Sequence, residues 1–157
     1  MKAKNYSILR NRILDACIEK QRHQLNDFNN RIKNILSREG LGNEEEYDDT
    51  ELSQNSQQAD EINALNESLS FANSDMNVLQ YLKTLYEVLH STPEPGAVVM
   101  TDHGKFFISV SAGEVNVAGE VFIVLSTQSQ LFSAMKGKRN GDRFEFGKYT
   151  YQIQEIF

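Results

Sequence analysis

The chain has 157 residues, 39% hydrophobic and 24% charged, with a formal net charge of −6. That length allows one or two small domains, and the acidic balance argues against direct binding to nucleic acid, duplex included, or adsorption to an anionic membrane, both of which need clustered Lys and Arg. No apolar run approaches the roughly 20 residues of a membrane span, Met1–Tyr6 lacks a leader's apolar core, and one cysteine with three scattered histidines gives neither a disulfide framework nor zinc-ligand spacing, so a cytoplasmic protein is expected.

From about Ser7 to Ser37 there is no Pro and no Gly. Leu14, Ile18, Gln21, Leu25, Phe28, Ile32 and Ile35 recur at alternating steps of four and three, the spacing of a coiled-coil seam. Ile8, Leu9, Ile13 and Cys17 widen the apolar stripe near its start, so the base of this helix is expected to pack on something further. The spacing predicts a helix over 7–38, about 48 Å long, that stops where Gly40 and Gly42 follow.

A loop of about 39–52 comes next, and most of its residues from Glu44 to Glu51 are acidic. A second seam follows: Ile62, Leu65, Leu69, Ala72, Met76, Leu79, Leu82 and Tyr86. It predicts a helix over 54–90, paired antiparallel with the first, with Ile35 near Ile62 and Ile18 near Met76. Neither stripe is stable alone, and Leu25 and Leu69 are expected to be buried between them. The acidic loop then lies at the far end of a helical hairpin spanning 1–92.

Ser91–Gly96 holds both prolines and reads as a linker. Beyond it the period changes to two. Ala97–Met100, Lys105–Val110, Val121–Leu125, Arg143–Phe146 and Tyr149–Ile156 read as five strands, with turns at Asp102–Gly104 and Asn140–Asp142. One short helix is expected over Gln128–Met135. Residues 93–157 are thus a small β-rich domain with one helix, and the whole chain is α+β. The aromatic residues here, including Phe106, Phe107, Phe144, Phe146, Tyr149 and Tyr151, read as core. His23, His90 and His103 read as surface or turn residues, Gln21 as a register-fixing polar residue in the seam, and Cys17 as packing.

The segment Leu131-Phe132-Ser133-Ala134-Met135-Lys136-Gly137-Lys138-Arg139-Asn140-Gly141-Asp142-Arg143-Phe144-Glu145-Phe146, closing with Tyr151–Ile156, resembles the end of the bacterial Gre transcript-cleavage factors. There a serine-headed helix leads into Gly-Lys-Lys-x-Gly-Asp and then two strands. The layout is similar too: in that family a helical hairpin precedes an FKBP-like domain. The resemblance implies a transcription elongation factor that binds RNA polymerase through its secondary channel, with no activity of its own and no cofactor bound alone. Acidic residues at the hairpin end would help hold a second Mg²⁺ at the polymerase active site, where backtracked RNA is hydrolysed. The candidate acids are Glu44, Glu45, Glu46, Asp48 and Asp49, with Glu44 and Glu45 as the metal ligands in the complex. Ser126, Thr127, Lys136, Lys138 and Arg139 are the candidate contacts to the polymerase.

Two departures stand out. Aligned on Glu46-Tyr47, the family's key Asp and Glu fall on Gly40 and Asn43. Three functions follow as alternatives: a cleavage factor, a channel-binding regulator without cleavage, or a coiled-coil adaptor unrelated to polymerase. In the last, the acidic loop is only a solvated connection. A prolyl isomerase does not follow from fold alone.

Overall fold

The computed structural model describes the backbone of residues 1–39 and 49–157 and the side chains of 1–38 and 56–157. In chain order the elements are α1 (Lys2–Glu39), α2 (Asp49–Thr84), β1 (Val98–Thr101), β2 (Lys105–Ser109), β3 (Gly113–Val117), β4 (Glu120–Ser126), α3 (Gln130–Met135), β5 (Arg143–Phe146) and β6 (Tyr149–Ile156). The class is α+β, as expected. Both long helices run wider than the predicted loop of 39–52 allows, since α1 includes Glu39 and α2 opens at Asp49.

The chain divides into two compact units, but not at the Ser91–Gly96 linker. One unit joins Met1–Lys20 to Met76–Phe157; the other is Gln21–Asp75. The reason lies in the core of the first. Ile13, Leu14 and Cys17 of α1 and Leu79 and Leu82 of α2 share one buried cluster with Val98, Phe107, Val115, Phe122 and Val124 of the sheet. The linker is itself tied down, because Gly96 N–H donates to the Ile108 carbonyl at 2.8 Å.

Within this unit, the sheet order is β3-β4-β2-β1-β6-β5. β2 and β4 are parallel, and every other pair is antiparallel. β6 serves two neighbours: Tyr149–Gln152 pairs with β5, and its C-terminal half pairs with β1 across an irregularity at Met100/Thr101. The helix bases cover one face. The other holds Val99, Phe106, Ile108, Leu125 and Ile153 under Phe132 and Met135 of α3. Burial on both faces explains the unbroken apolar run Phe106-Phe107-Ile108, where a one-sided strand would alternate.

β3 is a sixth strand that the sequence reading lacks. Only Val115 and Val117 are buried in it, and it stands at the sheet edge. Lys20 Nζ donates to the Glu114 carbonyl at 3.0 Å and so occupies one of its edge groups. The β3–β4 hairpin turns through Ala118 and Gly119, with φ of 54° and 81°. Both values are positive, as a two-residue type I′ loop requires, and Asn-Gly is its favoured pair. An Ala there carries part of the roughly 1–2 kcal/mol cost of a left-handed L-residue. Ala118→Asn is therefore expected to stabilise the protein by about 0.5–1 kcal/mol, read as a raised urea midpoint with an unchanged slope.

In the first unit, Arg10 of α1 donates to the Val88 carbonyl and Asp15 pairs with Lys83, so the two segments run antiparallel. Arg10 is 1% exposed, and burial pushes its guanidinium below its ordinary pKa. That contact also bears on the helix end. α2 stops at Thr84, short of the expected 90, and Leu85–Val88 continue as turns. The Val88 carbonyl is taken by Arg10, and His90 Nδ1 meets Glu94 Oε1 at 2.6 Å. Ile8, placed in the apolar stripe by its spacing, is exposed.

In the second unit, the seam is seen in burial. Gln21 and Ile35 are buried, Leu25, Phe28 and Ile32 half-buried; on α2, Ala72 is buried and Ile62, Leu65 and Leu69 half-buried. Gln21 Nε2 donates to the Ala72 carbonyl at 2.9 Å, which fixes register as a polar seam residue should. Leu25 and Leu69 are thus less buried than expected, and truncating them costs less than the roughly 2–5 kcal/mol of a fully buried leucine.

Cys17 is fully buried in the first unit, and burial pushes its thiol pKa up to about 12 despite the opposing charge of Lys20. The thiolate is the reactive form. A thiol reagent at neutral pH is expected to leave the native protein untouched and to react at once in denaturant. A fast native reaction would mean that α1 lifts off the sheet.

Candidate functional site

The candidate residues fall in two groups. Glu44, Glu45, Glu46 and Asp48 lie outside the described residues, and Asp49 is the first residue of α2. Among the described residues no three His, Cys, Asp or Glu side chains come together in a way that could hold a metal ion.

The second group stands at the two ends of α3. Ser126 closes β4, and its side-chain oxygen accepts from the Gln128 N–H at 3.3 Å. The helix begins later than the expected Gln128. Ser129 is its N-cap, accepting from the Phe132 N–H at 3.0 Å, so the serine heading the helix is Ser129. At the other end Gly137 takes φ 76° and lets the chain turn away from Met135. Lys136 and Arg139 are exposed and Lys138 half-buried. Asp142 Oδ2 accepts from the Arg139 N–H at 2.8 Å and closes the turn into β5. α3 is six residues long, about 9 Å. Ser126 and Thr127 therefore precede the helix at one end, and Lys136, Lys138 and Arg139 follow it at the other.

A different grouping was not visible in the sequence. Phe144 and Tyr151 are cross-strand partners on β5 and β6, and their rings stack 4.9 Å apart. Phe146 and Tyr149, the next pair on that side, are 36% and 48% exposed, so they are not the core residues the alternation suggested. His103, from the β1–β2 turn, approaches the rings of both Tyr149 and Tyr151 at 5.7 Å. Lys148 Nζ stands 5.3 Å from the Tyr149 centroid. The signal available beforehand was the hairpin Phe-Gly-Lys-Tyr itself, which puts two aromatics beside a two-residue turn.

No protein-family model, no curated protein and no solved structure matches this chain. No helix among the described residues is long and apolar enough to cross a membrane.

Proposed function

We propose that this protein is a Gre-like transcription factor that binds RNA polymerase through its secondary channel. One observation carries the reading. Two long helices joined by an acidic segment precede a sheet domain that closes with α3, a Gly-rich basic turn and the β5–β6 hairpin, the element order of the family it resembles. The FKBP-like assignment of that domain belongs to the same proposal, as do the polymerase contacts from Ser126, Thr127, Lys136, Lys138 and Arg139. The acids between Glu44 and Asp49 would complete a Mg²⁺ site that polymerase supplies only in part. A second Mg²⁺ polarises the phosphodiester and lowers the pKa of an attacking water, and it needs only one or two carboxylates from the factor.

The test is a stalled, backtracked elongation complex made with purified polymerase. Shortened transcripts on addition of this protein would support the cleavage factor. Capture of polymerase with transcripts of unchanged length would support the regulator without cleavage, the outcome that Gly40 and Asn43 favour. Failure to capture polymerase at all would remove both and leave the adaptor.

A further inference from the structure

We propose that the aromatic side of the β5–β6 hairpin binds single-stranded nucleic acid. Three rings, His103, Phe146 and Tyr149, share that side and are each a third to a half exposed. Beneath them, Tyr151 meets His103 at 5.7 Å and Tyr149 at 6.4 Å and stacks on Phe144, which is buried in the core, so two of the three rings are backed by packed aromatics. Flat, rigid rings open to solvent are the surfaces on which unpaired bases stack, and duplex bases cannot reach them.

The charge agrees in sign. The net −6 of the chain excludes general affinity for phosphate, but the stretch from Lys136 to Lys148 carries Lys136, Lys138, Arg139, Arg143 and Lys148 against Asp142 and Glu145. Asp142 is engaged by the Arg139 N–H. Glu145 alternates to the opposite face of β5 from Phe144 and Phe146, as does Arg143, which donates to Gln152. Basic groups therefore stand at both ends of β5, with Lys148 beside Tyr149 and Lys136–Arg139 before Arg143. Asp102 is an acid beside the rings; its Oδ1 accepts from the Gln152 N–H at 2.8 Å and its Oδ2 lies 3.8 Å from His103. Lys148 Nζ stands over the Tyr149 ring, so a base stacking on that face would displace the ammonium and leave it to meet the base's own phosphate. This inference does not depend on the polymerase reading, because it concerns the free protein.

Fluorescence anisotropy with short labelled oligouridine and oligothymidine strands at low salt, against a duplex of the same length, tests it. Both strands should bind, more weakly as salt rises, and the duplex should not. Tyr149→Ala should weaken binding about tenfold while Tyr149→Phe keeps it, with thermal unfolding showing both variants folded. Lys148→Ala should flatten the salt dependence. Equal binding of duplex and single strands, no binding of either strand, or binding unchanged in Tyr149→Ala would overturn the proposal. So would loss of polymerase capture in Tyr149→Ala with oligonucleotides never bound, since the face would then dock protein.

Discussion

Residues 93–157 produced alone are expected not to fold. The linker reading made them an independent domain, but one face of their sheet is completed by other residues. Val98, Phe107, Val110, Val115, Val117, Phe122, Val124 and Phe157 are buried in a cluster shared with Ile13, Leu14, Cys17, Leu79 and Leu82. Removing the helix bases would expose that whole face, and a continuous apolar patch of this kind drives aggregation or a loosely packed state. The fragment should bind a hydrophobic dye and lack a cooperative thermal transition. The point version is Leu79→Ala in the full chain. Leu79 is fully buried, and its truncation should cost about 2–5 kcal/mol. The converse deletion, replacing residues 21–75 with a short flexible loop, should keep the cooperative transition of the first unit. A sharp transition and dispersed NMR spectrum from 93–157 alone would show that the shared cluster contributes little.

Neutralising Glu44, Glu45 and Glu46 together to Gln should abolish transcript shortening and leave polymerase capture unchanged, under the proposed function. The carboxylates would act only on the ion, so the loss should appear in the chemical step. Cleavage by the unaltered protein should rise with Mg²⁺, and single variants at Glu44 or Glu45 should need more of it, because fewer ligands hold the ion less tightly. Asp48→Asn with Asp49→Asn is the parallel test of the second acidic pair. If the unaltered protein captures polymerase and never shortens the transcript at any Mg²⁺ concentration, Gly40 and Asn43 decide the matter and the protein is a regulator that occupies the channel.

The helices were the most legible part. Every predicted seam position among the described residues is buried or half-buried, because a heptad repeat states directly which side of a helix meets its partner. The strands were legible where apolar residues cluster, and β3 was not. Its Gly-Glu-Val-Asn-Val offers two buried valines, and the turn after it uses an Ala in a conformation that Asn or Gly normally signals. Arg10 could not have been foreseen either, since its burial goes with a bond to the Val88 carbonyl, a partner 78 residues away that no local pattern announces. Phe146 and Tyr149 were misread because alternation tells which residues share a side and not whether anything covers that side. Of the five candidate acids, Glu44, Glu45, Glu46 and Asp48 lie outside the described residues and Asp49 opens α2. The sequence reading named residues on both flanks of α3 as places of contact, and they stand at opposite ends of that helix.

The division of the first unit across the chain has a consequence in time. The ribosome makes Ile13, Leu14 and Cys17 before any of the sheet residues that bury them. At about 5–20 residues per second, Val98 follows Cys17 by roughly 4–16 s. During that interval the nascent helix carries half of a core whose other half does not yet exist. Only local partners are available, so α1 and α2 can meet first, and the sheet must then assemble against a surface already in place. A slow translation site placed before residue 76 would lengthen the exposure, while one placed after Thr84 would give the paired helices time to form. Soluble yield from synonymous variants at these two places would read out that order of assembly.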